Sequence, residues 1–578
     1  MHAVLVRREV EVVVGWQDVL LLASTGWRMS REDPLWLTVQ AARRFAPARR
    51  AALSTLAGDA GLGAAVGAFI ADQPERTAAL LRERGVSGTR WGDGLATRLA
   101  VQVGALDALE PKVAASPSVK QWVAQQEGDL QGAIAALSDK DTPASRKLRS
   151  EYRTLQPGFR LPVPAVDWDG PAEGIRVLHI LTNSLPHTRS GYTNRTHHLL
   201  RASQAAGITV EGVTRIGYPT TVGLLGAAER DVIDGVTYRR LRTGRLARDV
   251  DDRLTQQVNA LIPIARDFRP SILHTTTDYT NALVTQALAA ALGIPWVYEM
   301  RGQLELTWVA ARPEVYREAA TISERVRWLR AKEAELASAA DAVVALSQVQ
   351  ADDLAARGVE GRRIAIVPNA IDPNLLRHEL PPADARRGLG LPAEGVWVGT
   401  VSSLVAYEGI DDLLRAVALL RAEGLDVRAL IVGDGVARPG LIALADALKL
   451  ADVAVFPGRV TTDAAARWYQ ALDIFAVPRK DTPVCRVVTP MKPVEAMALA
   501  RPVVASDLPA LREVLADRLA GALSEPENPA SLAHSLAGLV KDPVRRGKSG
   551  QVGREAVRMR TWEAGAGTLL RTYEQLRG

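Results

Sequence analysis

The sequence predicts an α/β protein: two doubly wound units of parallel strands and helices, preceded by an all-α region. Three observations carry this. From Ile175 onward, short runs rich in Val, Ile and Leu alternate with segments of helical period, the pattern of parallel strands joined by crossover helices. A Pro/Ala-rich break at Leu380–Gly390 divides the alternation into two. Residues 1–150, by contrast, place Ala, Leu and Arg at helical spacing. At 578 residues the chain exceeds a single core, so several domains are expected.

Residues 1–150 contain segments such as PLWLTVQAARRFAPARRAALSTLA and TRLAVQVGALDALEPKVAA. GDLQGAIAAL, around Asp129–Leu137, has the small-residue packing of helix-hairpin repeats, without a regular period. The region shows no paired carboxylates, histidine cluster or glycine-rich loop, and reads as a partner-docking module or a helical appendage of the next domain. Residues 151–173 (LQPGFRLPVPAVDWDGPAEG in large part) form a Pro-rich linker.

Residues 174–378 form the first α/β unit, with strands at Ile175–Leu181, Thr209–Val213, Ile272–His274, Trp296–Met300, Ala342–Leu346 and Ile364–Val367. Helices are expected from the SGYTNRT loop to about Ala206, ending near Phe268, over Asn281–Leu292 and ending near Ala340. Residues 379–578 form the second unit, with strands at Val396–Val401, Val427–Val432, Val453–Pro457, Ile474–Pro478 and Pro502–Ala505. Between the last two lies a loop, then a short helix from about Pro493, a residue suited to the first helical position. A final helix, Trp562–Leu576, is expected to pack back across the junction, and two such units facing each other leave a cleft for a ligand held by both.

Composition narrows the function. The chain is 47% hydrophobic and 24% charged, with 71 basic against 65 acidic residues, a net +6 too small for the length to argue for nucleic acid. A single cysteine, Cys485, excludes an internal disulfide framework and fits a reducing compartment. The N-terminal MHAVLVRREVEVVVGW interrupts its apolar residues with charges and lacks a signal-peptide layout. The best apolar run, around Ala60–Ala71, is too short to span a bilayer. A cytoplasmic protein is expected; peripheral contact with the inner membrane face or a protein complex, through residues 1–150, stays open.

Ligands of doubly wound sheets bind beyond the carboxyl ends of the strands. The candidates there in the first unit are Gly191, Tyr192 and Arg195 at a strand-to-helix turn, His274 and Asp278 after one strand, and Glu299 and Arg301 after the next. In the second unit they are Gly433 and Gly435 in VGDG, Arg459 after a strand, Arg479, the turn Thr489-Pro490-Met491, Lys492, and Glu495 in the first turn of its helix. Free N–H groups and the helix dipole make that helix start an anion seat, beside which Glu495 can accept hydrogen bonds from a diol such as a ribose. No GxGxxG fingerprint is present, which argues against a dehydrogenase, and no metal-ligand cluster is evident.

From Gly174 to its end the chain resembles the GT-B-fold glycosyltransferases of family 4, which retain the donor's anomeric configuration. The resemblance rests on SGYTNRT (Ser190–Thr196), VYEMRG (Val297–Gly302), VPNAID (Val367–Asp372), AYEGIDDLL (Ala406–Leu414), VGDG (Val432–Gly435) and TPMKPVEAMALARPVVAS (Thr489–Ser506). The SGYT, YEG and TPxKPxEAMA combination is similar to a subgroup associated with polysaccharide and surface-glycan assembly. The resemblance implies that Glu495 binds the nucleotide ribose, that the turn before it holds the diphosphate, and that the Gly191 loop closes over the donor. Four positions depart from the family pattern: Val487 replaces a glutamate that contacts the donor sugar, Ser403 an arginine, Glu408 a lysine and Arg301 a frequent histidine. Neutralisation of the donor phosphate then falls to Lys492, Arg479, Arg459 and Arg301, in that order.

The implied reaction moves a sugar from a nucleotide sugar to a hydroxyl of a glycan or lipid-linked acceptor, without metal or cofactor, with Arg301, Glu299 and Lys492 as catalytic candidates. The alternatives are a nucleotide-sugar epimerase of the same fold and a catalytically degenerate nucleotide- or glycan-binding protein, the latter suggested by Val487, Ser403 and Glu408. A third places the working part in the N-terminal helices, recruiting the chain to an assembly complex.

Overall fold

The computed structural model describes residues 15–578 except 33, 44–46, 91, 138–140, 378–379 and 516–520, so most of the N-terminal MHAVLVRREVEVVVGW lies outside the described residues. It divides into two compact units, Met1–Glu299 with Leu304–Ala342 and Leu576–Gly578, and Met300–Gln303 with Val343–Gln575. No helix among the described residues is long and apolar enough to cross a membrane.

The first unit begins with the helices the sequence predicts. Several open on Pro behind a capping residue: Pro117–Glu127 behind Ser116, whose side chain accepts from Val119 N–H, and Pro143–Leu155 behind Thr142, which accepts from Ser145 N–H. Helices Gly61–Ile70, Pro74–Arg84 and Asp93–Val103 bury a core of Ala64, Ala65, Ala68, Leu81, Leu99 and Ala100. Tyr316, more than two hundred residues downstream, belongs to the same core, and its hydroxyl donates to the Val101 carbonyl at 3.0 Å. Pro143–Leu155 is tied to the helix Val250–Phe268: Ser150 Oγ donates to Asp251 Oδ1 at 2.6 Å and Arg153 Nη2 to Asp251 Oδ2 at 2.8 Å. Asp18, nearly buried, accepts from Thr220 Oγ1 at 2.8 Å and Arg242 Nη2 at 2.9 Å. The N-terminal helices are therefore packed against helices and loops of the α/β part of their own unit.

That sheet contains β1 (Arg176–Leu181), β2 (Thr209–Thr214), β3 (Arg230–Ile233), β4 (Val236–Arg240), β5 (Ile272–Thr276) and β6 (Trp296–Glu299). Within the unit they run in the order β3-β4-β2-β1-β5-β6, parallel except for β3 against β4. The β3–β4 hairpin is absent from the sequence reading. Its turn is Asp234-Gly235, both with positive φ, the two-residue turn that matches strand twist.

In the second unit β7 (Ala342–Ala345) pairs with β8 (Ile364–Ile366). The main sheet has β9 (Val396–Val401), β10 (Val427–Val432), β11 (Ala454–Gly458), β12 (Ile474–Val477), β13 (Val503–Ser506) and β14 (Gly521–Ser524), all parallel, in the order β11-β10-β9-β12-β13-β14. Alternation sends successive side chains to opposite faces. Trp397, Leu430, Phe475 and Val503 join one core, and Val398, Ala429, Ile431, Ile474 and Val504 the other. Burial on both faces explains the uninterrupted apolar runs. β9 and β10 have the predicted bounds. The loop expected after β12 instead contains a short helix, Pro483–Val487, which Thr482 caps by accepting from Cys485 N–H, and β14 was not foreseen.

Both sheets reverse strand order once, between β1 and β5 and between β9 and β12. Crevices at such switch points are where open α/β sheets bind ligands. Beyond β9, Gly409 has φ +67°, and a Cβ there would meet the Pro478 carbonyl oxygen at 1.7 Å. Only glycine lets the β9 and β12 loops approach so closely.

Two substitutions test this packing. Tyr316→Phe, which removes only the buried hydroxyl, is expected to cost about 1 kcal/mol, and Tyr316→Ala about 3–5 kcal/mol, in chemical denaturation followed in the first unit. Gly409→Ala is expected to lower the second unit's denaturation midpoint by about 2–4 kcal/mol equivalent. An unshifted midpoint would mean that the two loops do not touch through their backbones.

Candidate functional site

The switch point of the second unit gathers charged side chains from three segments. Glu408 lies in the loop after β9, Arg479 two residues past β12, and Lys492 opens the helix Lys492–Ala498. Glu408 Oε1 accepts from Arg479 Nη2 at 2.8 Å and lies 3.7 Å from Lys492 Nζ. Lys492 Nζ donates to Ser402 Oγ at 2.6 Å, and Arg479 Nη1 to the Val488 carbonyl at 3.2 Å. Glu408 and Arg479 are buried, whereas Lys492 keeps 29% of its side chain exposed. Burial opposes the charge on Glu408, but Arg479 and Lys492 outweigh it and hold its carboxyl below the usual range. Burial likewise opposes Arg479's charge, and Glu408 overcomes it. For Lys492 burial prevails over Glu408, with Arg479 adding repulsion, so its ammonium lies below the usual lysine value.

Glu495 sits in the first turn of the helix opened by Lys492 and accepts a hydrogen bond from Tyr469 Oη at 2.7 Å. Burial raises its pKa, while the Tyr469 hydrogen bond and Lys492 act the other way. Its Oε2 is committed to Tyr469, and Oε1 makes no hydrogen bond to any described residue. Thr489, just before this helix, buries a hydroxyl without a hydrogen-bond partner, and its carbonyl accepts from Asn369 Nδ2 at 3.2 Å. Pro490 is buried and Met491 is the residue preceding the helix. One place thus combines an anion-attracting helix start, a cationic tip, a carboxylate with a free oxygen and an unsatisfied hydroxyl.

Other residues from the sequence reading stand apart. Gly433 has φ +138°, and a Cβ there would meet the Ser402 carbonyl at 1.8 Å; at Gly435 it would meet the Leu404 carbonyl at 2.2 Å. Their neighbours are therefore the backbone of the β9 loop, which they allow close. Arg459 is exposed and makes no side-chain hydrogen bond or ion pair with the described residues. Arg301 is buried and engaged by neighbours, in the Met300–Gln303 segment held by Gln350 Nε2 to the Met300 carbonyl (2.9 Å) and Gln303 Nε2 to Asp353 Oδ2 (2.6 Å).

In the first unit a second cluster lies at the β1/β5 switch point. Arg195, one turn into the helix Gly191–Ala205, donates through Nε to Glu299 Oε1 at 2.8 Å, and His274 Nε2 lies 3.5 Å from Glu299 Oε2. His179 of β1 stacks on His274 with ring centroids 4.6 Å apart. All four are buried. Gly191 and Tyr192 are exposed at the start of the helix, which Ser190 and Thr193 cap reciprocally. Asp278 accepts from Thr280 and Asn281 N–H as the cap of the helix Tyr279–Leu292. Also in this unit, oxygens of Asp249, Asp251 and Asp252 come within 4.8 Å of one another, with Asp251 already held by Ser150 and Arg153.

Tyr469, Ser402 and His179 were not among the sequence candidates, and Glu408 entered only as a departure from a pattern. Tyr469 reaches Glu495 across 26 positions, so no local spacing marks it.

Residues 190–370 match the family described as glycosyl transferase 4-like domain, and residues 395–542 that described as glycosyl transferases group 1. Relatives named D-inositol 3-phosphate glycosyltransferase include one from Thermobispora bispora, 33% identical over 227 residues, covering 37% of this chain and 50% of the relative. One from Xylanimonas cellulosilytica is 30% identical over 254 residues, covering 42% and 59%. The chain thus spans about half the length of the curated relatives it matches. Among solved structures, sucrose-phosphate synthase from Thermosynechococcus elongatus aligns with a TM-score of 0.56 at 22% identity, over 70% of this chain and 99% of that one. Anabaena Alr3699/HepE in complex with UDP aligns with a TM-score of 0.53 at 17% identity, over 69% and 100%. These likenesses show a shared GT-B fold, and residues 190–370 and 395–542 each resemble a glycosyltransferase family.

Proposed function

We propose that the chain transfers a sugar from a nucleoside diphosphate sugar to an acceptor hydroxyl, with retention of configuration. The donor nucleotide would occupy the β9/β12 switch point of the second unit. The observation that carries this reading is the convergence of Lys492, Glu495 and the unpartnered Thr489 hydroxyl on one helix start. Glu495 Oε1 is free to accept from a ribose hydroxyl, and Lys492 and the helix N-terminus attract the diphosphate. In such a transfer the bond from the anomeric carbon to the leaving phosphate breaks through an oxocarbenium-like state. Charge then builds on the leaving phosphate, where Lys492 stabilises it, and the same phosphate accepts the acceptor's proton. Positioning and leaving-group stabilisation would supply most of the acceleration.

Two acceptor classes follow from different observations. The SGYT, YEG and TPxKPxEAMA motifs favour a growing glycan in polysaccharide assembly. The names of the relatives favour a phosphorylated cyclitol. Acceptor-dependent release of nucleoside diphosphate, measured with both classes, separates them, and release without either points to the epimerase or binding-protein alternatives.

A thermal-shift panel of uridine-, guanosine- and adenosine-diphosphate sugars is expected to single out one nucleotide. At a hundredfold excess over Kd, binding stabilises by about 2.7 kcal/mol. Glu495→Ala is expected to abolish that shift, and Lys492→Ala to weaken binding tenfold or more, about 1.4 kcal/mol. Unchanged affinity in either variant overturns its assigned role.

The pH dependence has a definite sign. Burial raises Glu495's pKa above the usual 4.5, so the carboxylate is lost, and nucleotide-sugar affinity falls, as pH drops through that raised value. Tyr469→Phe removes a hydrogen bond that favours the charged form and should move the midpoint of this loss further up. A midpoint at or below the wild-type value in that variant would contradict the assignment.

A further inference from the structure

Glu408 is a carboxylate placed where the donor reading calls for positive charge. Its Oε1 is shared between Arg479 Nη2 at 2.8 Å and Lys492 Nζ at 3.7 Å. The backbone holds it there: Gly409 packs against the Pro478 carbonyl, which sets Glu408 and Arg479 on adjacent residues of two touching loops. Glu408 is 6% exposed and Arg479 7%, so neither charge is well screened by water. Lys492 alone of the three reaches the surface, anchored by Ser402 Oγ at 2.6 Å. Two cations and one carboxylate leave a single net positive charge at this seat.

A diphosphate approaching Lys492 meets that net charge and also the Glu408 carboxylate behind it. Arg479 cannot turn to meet the phosphate without leaving Glu408 uncompensated in a buried place, which is costly. We propose that Glu408 is an internal counter-anion that sets the affinity of the Arg479–Lys492 seat, weakening its hold on the diphosphate so that the spent nucleotide is released. The inference rests on the donor reading above. It makes Glu408 an affinity-determining residue that acts through Lys492 and Arg479, not one that touches the sugar.

The test is calorimetric binding of inorganic pyrophosphate, and of the nucleoside diphosphate selected by the thermal-shift panel, to the full chain, Glu408→Gln and Glu408→Asp. Glutamine keeps an oxygen for Arg479 and removes the charge; aspartate keeps the charge. Glu408→Gln is expected to bind both ligands tenfold or more tighter, with kcat and KM falling together in turnover where nucleotide release limits the rate. Glu408→Asp is expected to bind no tighter than the original chain. Near-ultraviolet circular dichroism checks that each variant is folded.

Equal or weaker binding by folded Glu408→Gln overturns the inference, as does equal tightening by Glu408→Asp, which would trace the effect to loosened packing. If Glu408→Gln misfolds, a Glu408→Asp variant that binds tighter is sufficient to overturn it, and one that binds no tighter supports it. Nucleoside diphosphate bound equally by the original chain and Glu408→Gln keeps the donor reading and removes only the Glu408 role. Tighter pyrophosphate binding with no nucleotide bound by any form keeps the counter-anion and overturns the donor reading. Pyrophosphate bound by none of them overturns the counter-anion.

Discussion

The second unit's chemistry depends on one buried contact, the Glu408–Arg479 ion pair at the β9/β12 switch point. A buried charge without a partner costs several kcal/mol, so each of the two fixes the other. The pair holds the loops after β9 and β12 together, and with them the segment leading to the Lys492–Ala498 helix, because Arg479 also donates to the Val488 carbonyl. Lys492 is then presented at the mouth by Ser402, and Glu495 one turn further on by Tyr469. The helix start that attracts an anion and the carboxylate suited to a diol are thereby positioned by contacts behind them.

The first unit follows the same plan with different residues. At the β1/β5 switch point Arg195 and Glu299 pair in the interior, with His274 against the same carboxylate and His179 stacked behind. The exposed part of this end is the Gly191–Tyr192 helix start, where a glycine is followed by an exposed aromatic ring. Arg195, Glu299 and His274 therefore shape the floor of that end, while what stands on it is Gly191 and Tyr192. The N-terminal helices reinforce the unit from elsewhere through Tyr316, Asp251 and Asp18. They share a core with it, so the helical region is structurally part of the first unit.

The fold was legible because sheets buried on both faces write their strands as continuous apolar runs. β9 and β10 could be placed to the residue for this reason. β3 and β4 could not, since the pair lies at a sheet edge and carries Arg230, Asp231, Arg239 and Arg240 among its few apolar residues. The Asp234-Gly235 dipeptide is the signal in the sequence that marks this hairpin. The helix Pro483–Val487 was hidden by its five-residue length, too short for a period to show. At the site, Glu495 and Lys492 were readable because a helix start has a local signature. Gly433 and Gly435 are candidate ligand contacts from the sequence, and the fold adds a packing reason for both, the close Ser402 and Leu404 carbonyls, that no local spacing shows.

Charges are the hardest part to read in one dimension. Ser403 and Glu408 register along the sequence as lost cations, and Val487 as a lost carboxylate, which together suggest a degraded site. In space the positive charge is supplied from the opposite wall, by residues 71 and 84 positions beyond Glu408, and Glu408 is the group that holds one of them in place. A glutamate facing free lysine and arginine would be repelled by any incoming phosphate. Locked beneath them, it lowers the net charge of the seat without removing either cation.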